Sequence, residues 1–195
     1  MANVLVLLAH PKLDSLNGAA AQQFVDQARE HGHKVKFKKL YELGFDPILG
    51  SKDFEAWGNG SVPDDVAAEQ KDWEWADKLA FFYPIWWNER PAIFKGYCDR
   101  ILTKPWAWDF DANGLVSKLS NKEGFLAVTY GSPDALYNHL GIDQDHIISN
   151  MREGTMGYTG IQKSEVVETY GVLAERDAPQ KHLDAVREAG ARFLG

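Results

Sequence analysis

Five short apolar runs, each followed by a stretch with helical periodicity, are the feature that most limits how this chain can fold. The first run, at residues 4–9, is continuously apolar, as expected of a strand buried on both faces. The second, at residues 35–40, alternates with lysines and indicates a strand near a sheet edge. The others cover residues 79–83, 124–129 and 164–170. Strands that alternate with helices predict an α/β fold of three layers, α/β/α, whose five-stranded parallel sheet has the order 2-1-3-4-5.

Glycine, proline and apolar spacing place the helices and loops between these strands. Ala20, Phe24 and Ala28 recur at helical spacing, and Gly32 is expected to end that helix. We expect further helices over residues 63–76, 91–101, 143–153 and 180–194. Residues 41–60 and 106–121 show no clear periodicity and are predicted to be irregular. Pro84 is expected to end the third strand.

Length and charge exclude several classes of protein. A chain of 195 residues suits one domain, expected to span residues 1–195. Its net charge of −7 argues against nucleic acid or an anionic membrane as a partner, because both need a basic surface. No apolar run approaches the ~20 residues of a membrane span. One cysteine, Cys98, cannot form an internal disulfide or a cysteine-based zinc site, so we expect a cytoplasmic protein without a bound metal.

The fold predicts where a ligand would bind. In sheets of this order, ligands bind beyond the carboxyl ends of the strands, where the strand order reverses. The loops at that point begin at His10, Pro84 and Thr129. In the first loop, Ser15, Asn17 and the first backbone N–H groups of the following helix could bind an anion. Helix capping by Ser15 or Asn17 is the other interpretation, and the pattern G-x-G-x-x-G is absent.

The other two loops could hold a flat ring. Trp86 and Trp87 are adjacent in the second loop, and either a planar ligand or neighbouring helices could cover them. In the third loop, backbone N–H groups at Thr129 and Gly131 and the phenol of Tyr137 are hydrogen-bond donors, although a plain turn is the simpler interpretation. Micromolar binding needs about 8 kcal/mol, whereas a helix terminus supplies about 0.3–1 kcal/mol. Burying about 200 Å² of ring adds about 5 kcal/mol, which favours a flavin nucleotide.

Several stretches in register resemble a known family. They include Glu69-Gln70, Ala76-Asp77, the segment FYPIWW at residues 82–87 and the segment PAIFKGY at residues 91–97. The chain resembles the flavodoxin-like-fold NAD(P)H:quinone oxidoreductases, which include DT-diaphorase, bacterial modulators of drug activity and the ancillary reductases of potassium efflux. The resemblance implies a flavin (FAD or FMN), an NAD(P)H donor with NADPH favoured, a quinone-like acceptor and a homodimer. It also implies that a hydride passes from NAD(P)H through flavin N5 to the acceptor, in a ping-pong reaction.

The resemblance also implies the roles of individual residues. It makes Tyr137 the active-site tyrosine. Some family members carry a histidine six residues later. This chain has Asp143 there, which becomes the second candidate catalytic residue but cannot become a cation. The flavin is expected to contact residues from all three loops: His10, Ser15, Leu16, Asn17, Gly18, Pro84, Ile85, Trp86, Trp87, Asn88, Thr129, Tyr130, Gly131 and Ser132.

Three other functions are compatible with the same residues. The chain could be a regulatory subunit of a potassium-efflux antiporter, an azo- or nitro-reductase, or a one-electron carrier of the flavodoxin type. The long segment 41–60 fits poorly with the last of these.

Overall fold

The computed structural model describes the backbone of residues 1–195 and every side chain except those of residues 163 and 164. The strands are β1 (Asn3–Leu8), β2 (Lys34–Lys39), β3 (Lys78–Ile85), β4 (Trp108–Asp111), β5 (Gly114–Ser117), β6 (Glu123–Tyr130) and β7 (Gln162–Thr169). The helices are α1 (Leu16–Glu30), α2 (Ser51–Gly58), α3 (Asp64–Trp75), α4 (Ala92–Ile101), α5 (Asp134–His139), α6 (Gln144–Met151) and α7 (Ala178–Leu194). A 3₁₀ turn at Leu40–Glu42 and a π-helical turn at Arg152–Gly157 complete the regular structure.

The main sheet has the order β2-β1-β3-β6-β7, and every neighbouring pair is parallel. Counted along the sheet-forming strands alone, this is the predicted order 2-1-3-4-5, so the fold prediction is confirmed. The lysine-rich strand β2 lies at an edge, as its alternation indicates.

Successive side chains of the central strands point to opposite faces of the sheet, and both faces are buried. This explains why the sequences of these strands are continuously apolar. In β3, Ala80 and Phe82 pack against α1 and α7, in a cluster that includes Phe24 and Phe193. Leu79, Phe81 and Tyr83 pack on the other face, against side chains of α3, α4 and α6. The sheet is thus covered by helices on both faces.

Three local predictions were wrong. Residues 41–60 were predicted to be irregular but contain α2. The sequence did not indicate this helix because its contact with the rest of the chain is polar and leaves no apolar period. Asp53 is buried and its Oδ1 accepts a hydrogen bond from Arg100 Nε at 2.8 Å. Residues 106–121 contain the antiparallel pair β4 and β5. Strand β3 continues through Pro84 to Ile85. The missing N–H of Pro84 removes no ladder bond, because the pairing of β1 with β3 ends at Leu8 and Phe82.

Candidate functional site

The three predicted loops meet beyond the carboxyl ends of β1, β3 and β6. They line two adjoining cavities. The smaller, of about 240 Å³, is lined by His10, Ser15, Leu16, Asn17, Pro84, Ile85, Trp86, Thr129, Gly131, Val172 and Leu173. The larger, of about 560 Å³, is lined by Ile85, Trp86, Trp87, Asn88, Gly131, Ser132, Leu136, Tyr137, Leu140, Ile142 and Leu173. Because four residues line both cavities, the two form one continuous site at the predicted switch point.

The first loop presents the amino end of α1 to the smaller cavity. Ser15 is the N-cap: its hydroxyl accepts a hydrogen bond from the Gly18 N–H at 3.1 Å and donates to the Lys12 carbonyl at 2.7 Å. The capping interpretation therefore accounts for this side chain. Within the described part of the chain, the backbone N–H groups of Leu16 and Asn17 have no acceptor. Those two groups are the donors that an anion would meet here.

Asn17 and Gly18 support the first loop from behind. Asn17 is buried, and its Nδ2 donates to Thr129 Oγ1 at 2.8 Å. This hydrogen bond joins α1 to β6, so the side-chain amide is not available to bind an anion in the smaller cavity. Its Oδ1 is buried without a hydrogen-bond partner among the described residues. A Cβ added to Gly18 would lie 2.0 Å from the Leu13 carbonyl oxygen, so only glycine lets the loop close over the helix.

The second loop is a tight turn that holds two tryptophans at the cavity rim. Backbone hydrogen bonds of 2.9 and 3.1 Å join Trp86 to Glu89 across the turn. Trp87 and Asn88 between them have φ values of 53° and 62°, a conformation that non-glycine residues seldom adopt. The Trp87 side chain is fully exposed, and the Trp86 ring lies 6.0 Å from the His10 ring. A strained turn with an exposed indole at a cavity mouth is typical of a ligand-binding segment.

The third loop offers backbone donors. The carbonyls of Tyr130, Gly131 and Ser132 accept hydrogen bonds from the N–H groups of residues 172, 173 and 171, at 2.8–3.2 Å. The N–H groups of Gly131 and Ser132 have no acceptor among the residues described. The side chain of Tyr130 does not line either cavity; it is fully buried behind the loop. Its side chain turns away because odd and even residues of β6 face opposite sides of the sheet, and the contact of Tyr130 with the ring edge stays a prediction.

The two predicted catalytic residues differ in their placement. Tyr137 lies on α5, a short helix that the sequence did not predict, and lines the larger cavity. Burial raises the pKa of the Tyr137 phenol, and a hydrogen bond with the Ser132 side chain opposes this. The phenol therefore stays protonated at neutral pH and can donate a hydrogen bond. Asp143 is outside the lining of both cavities; its carboxylate caps α6 by accepting from the His146 N–H at 3.2 Å.

Several lining residues were missed from the sequence. Val172 and Leu173 follow β7, and Leu136, Leu140 and Ile142 lie on and after α5. Leu173 is 89 % exposed although it is apolar. Leu173 follows the carboxyl end of the edge strand β7, away from the reversal of strand order, so the rule that placed the first three loops gave no signal for it.

The described side chains contain no group of three or more His, Cys, Asp or Glu residues placed to hold a metal ion. Among the helices that the structure describes, none is both long enough and apolar enough to span a bilayer.

Fold and site together define a protein of the flavodoxin-like type, with a cavity at the switch point of a doubly wound sheet. A family model described as flavodoxin-like fold matches residues 2–193, and the chain belongs to this family. This confirms the fold that the resemblance implied.

The chain is also similar to individual proteins of known sequence or structure. The chain is 34 % identical over 166 residues to an uncharacterized NAD(P)H oxidoreductase of Haemophilus influenzae, covering 84 % of this chain and 81 % of that protein. It is 30 % identical over 187 residues to NAD(P)H dehydrogenase [quinone] 1 of Cavia porcellus, covering 86 % and 68 %. The solved structure of an NAD(P)H:quinone oxidoreductase from Methanothermobacter marburgensis superposes with a TM-score of 0.86 at 24 % identity, covering 98 % of each chain. The resemblance to oxidoreductases of this kind is thereby confirmed.

Proposed function

We propose that this chain is a flavin-dependent NAD(P)H:quinone oxidoreductase, and that residues 1–195 form one flavin-binding domain. The proposal is supported chiefly by two sets of backbone donors, without acceptors among the described residues, that face each other across one continuous site. One set, at Leu16 and Asn17, suits a phosphate, and the other, at Gly131 and Ser132, suits the carbonyl edge of a ring. The apolar walls between them suit the ring itself.

The remaining first-loop and second-loop residues would enclose the same ligand. His10 and the amino end of α1 would hold the phosphate side, and Pro84, Ile85, Trp86 and Trp87 would line the ring. When bound, the flavin supplies two-electron transfer between the nicotinamide and the acceptor. The protein would bring the nicotinamide and the acceptor to one face of the flavin ring and would exclude water from that face.

Tyr137 would stabilise the negative charge that develops on the ring edge. Its phenol lies in the cavity wall beside Ser132, and burial keeps the proton on its oxygen. A neutral donor next to a developing anion lowers the energy of that anion. Asp143 has no comparable support, because its carboxylate already caps a helix.

The lining of the larger cavity favours a neutral aromatic acceptor such as a quinone. None of the described side chains that line it is charged. An anionic acceptor, such as a sulfonated azo dye, would lose hydration there without gaining a counter-charge. An azo- or nitro-reductase activity would therefore favour uncharged substrates. A role as a regulatory subunit of a membrane antiporter stays a prediction.

Four finer points complete the proposal. FAD and FMN share the phosphate and ring that the site fits, so the flavin remains one of these two. NADPH as the donor follows from the family resemblance.

A homodimer is supported by the exposed apolar side chains of Ile48, Phe54 and Phe110, which lie outside the lining of both cavities. A cytoplasmic location is supported by the single, buried cysteine.

The test begins with the visible spectrum of the purified protein and mass identification of any flavin that heating releases. Bound FAD or FMN, NADPH oxidation that depends on menadione, and weak activity with a sulfonated azo dye are the expected results. Protein that is colourless, and that binds neither flavin on titration, would refute the proposal.

A further inference from the structure

A cluster of two tyrosines and a glutamate lies directly behind Tyr137. Tyr130 ends β6, Glu168 lies in β7, and Tyr170 follows β7. The rings of Tyr130 and Tyr170 stack with centroids 4.1 Å apart and planes inclined by 13°. Both hydroxyls donate to Glu168 Oε2, at 2.8 Å from Tyr130 and 3.3 Å from Tyr170. We call these three residues the tyrosine platform.

The platform contacts Tyr137 edge-on. The Tyr137 ring lies 5.7 Å from Tyr130 at 83° and 5.9 Å from Tyr170 at 75°. Edge-to-face contacts of this kind fix the direction of a ring as well as its distance. The phenol of Tyr137 is thus held on two sides by rings that are themselves held by one carboxylate.

The helix that carries Tyr137 has little other anchorage. None of the six residues of α5 is buried, and its N-cap, Pro133, makes no side-chain hydrogen bond. A helix of this length gains little stability from its own hydrogen bonds. The orientation of Tyr137 therefore depends on what its side chain contacts: the platform packs against its ring, and the Ser132 side chain shares a hydrogen bond with its phenol.

The two phenols of the platform stay protonated, because their pKa values are raised. Burial raises the pKa of Tyr170 to about 12, with the Glu168 carboxylate adding to the effect. Burial and Glu168 raise the pKa of Tyr130 further above its usual value. Both hydroxyls consequently remain donors across the working range of the protein, and the 2.8 Å bond from Tyr130 is stronger than the 3.3 Å bond from Tyr170.

We propose that Tyr130, Tyr170 and Glu168 are positioning residues that aim the Tyr137 phenol into the larger cavity. This rests on the proposed function, in which that phenol stabilises charge on the ring edge. The side chains of the platform line neither cavity, and Tyr137 is a lining residue that they contact.

The test compares three variants with a matched control. Glu168→Gln removes the charge, Tyr170→Phe keeps the ring without its hydroxyl, and Tyr170→Leu removes the ring. Glu165→Gln is the control, because Glu165 lies in the same strand but pairs with Arg192 on the surface, at 2.9 Å. Hydrogen exchange of the α5 amides is measured on flavin-free protein, and flavin reduction by NADPH is measured by stopped flow.

We expect faster exchange in α5 and slower flavin reduction in the three platform variants, with the control unchanged in both. The reduction rate should fall about tenfold in Tyr170→Leu and about threefold in Tyr170→Phe and Glu168→Gln. The dissociation constant for NADPH should not change. In a Tyr137→Phe background the same platform changes should slow reduction little further, because the hydroxyl that they orient is already absent.

The outcomes separate the two proposals. If Tyr137→Phe slows reduction while the platform variants match wild type in rate and in α5 exchange, the platform has no positioning role and the proposed function stands. If wild-type protein binds no flavin, or if Tyr137→Phe reduces flavin at the wild-type rate, the role of the phenol fails and the platform proposal falls with it. Tyr170→Phe and Glu168→Gln keep the packing, so they remain informative even if Tyr170→Leu does not fold.

Discussion

His182 lies on α7 with its imidazole fully buried against the end of the sheet. Its Nδ1 is 2.9 Å from Thr169 Oγ1, and within the described chain its Nε2 has no hydrogen-bond partner. Burial lowers the pKa of His182 to about 4, from an ordinary value of 6.5. The imidazole is therefore neutral in the folded protein under conditions where the unfolded chain already carries a proton.

This difference makes the folded state sensitive to acid. Between pH 6.5 and 4 the unfolded chain binds more protons at this position, so the free energy of unfolding falls as the pH falls. The full stabilisation is present above about pH 6.5 and is lost by about pH 4. At about 1.4 kcal/mol for each pH unit, the loss amounts to about 3 kcal/mol across that interval.

The assay is urea unfolding of wild type and His182→Asn at several pH values from 7 to 4. Asparagine can keep the hydrogen bond to Thr169 but cannot be protonated, so the variant should lose less stability on acidification by about 3 kcal/mol. Replacing His31, which is exposed at the end of α1, controls for the loss of an imidazole. Parallel pH profiles for wild type and His182→Asn would refute the argument, whatever their absolute stabilities.

Two further predictions concern the loops around the site, and a third concerns the ion pairs of Arg100. Gly18→Ala should destabilise the protein by about 1–3 kcal/mol in urea unfolding, because the added methyl overlaps a backbone oxygen; wild-type stability would disprove the clash. Trp87→Gly should leave stability unchanged or raise it by up to about 1 kcal/mol, since φ is positive there, while weakening flavin affinity about tenfold in a fluorescence titration; a marked loss of stability would contradict this. Arg100→Met should cost about 3–5 kcal/mol and open residues 41–60 to limited proteolysis, because Asp53 is left buried without its partner. Asp65→Asn, on the exposed side of the same guanidinium, should cost less than about 1 kcal/mol, and equal losses in the two variants would count against the difference in burial.

The layered fold was predictable because burial on both faces leaves a strong mark on a strand. The runs that became β1, β3 and β6 are continuously apolar, and only a strand covered on both sides requires that. The same order of strands fixed the edge where His10, Pro84 and Thr129 would meet, so the general position of the site followed from the pattern as well.

Elements whose contacts are polar or local were not predictable in this way. Helix α2 is held by the buried pair of Asp53 and Arg100, residues that are 47 positions apart and leave no periodic signal. The extension of β3 through Pro84 depended on where β1 ends, which is a property of the neighbouring strand. Helix α5 packs through the Tyr137 ring against Tyr130 at the end of β6 and Tyr170 after β7, and no local pattern shows these contacts.

The sequence by itself determined the class of fold, the edge of the sheet that carries the site and the three loops that form it, because hydrophobic periodicity and turn residues act over short distances. Only the tertiary structure decided the direction of each side chain within those loops. It turned Asn17 inward to Thr129, Tyr130 away from the cavity to Glu168, and Trp87 out to solvent. Those directions depend on partners far away along the chain, which no local pattern of residues encodes.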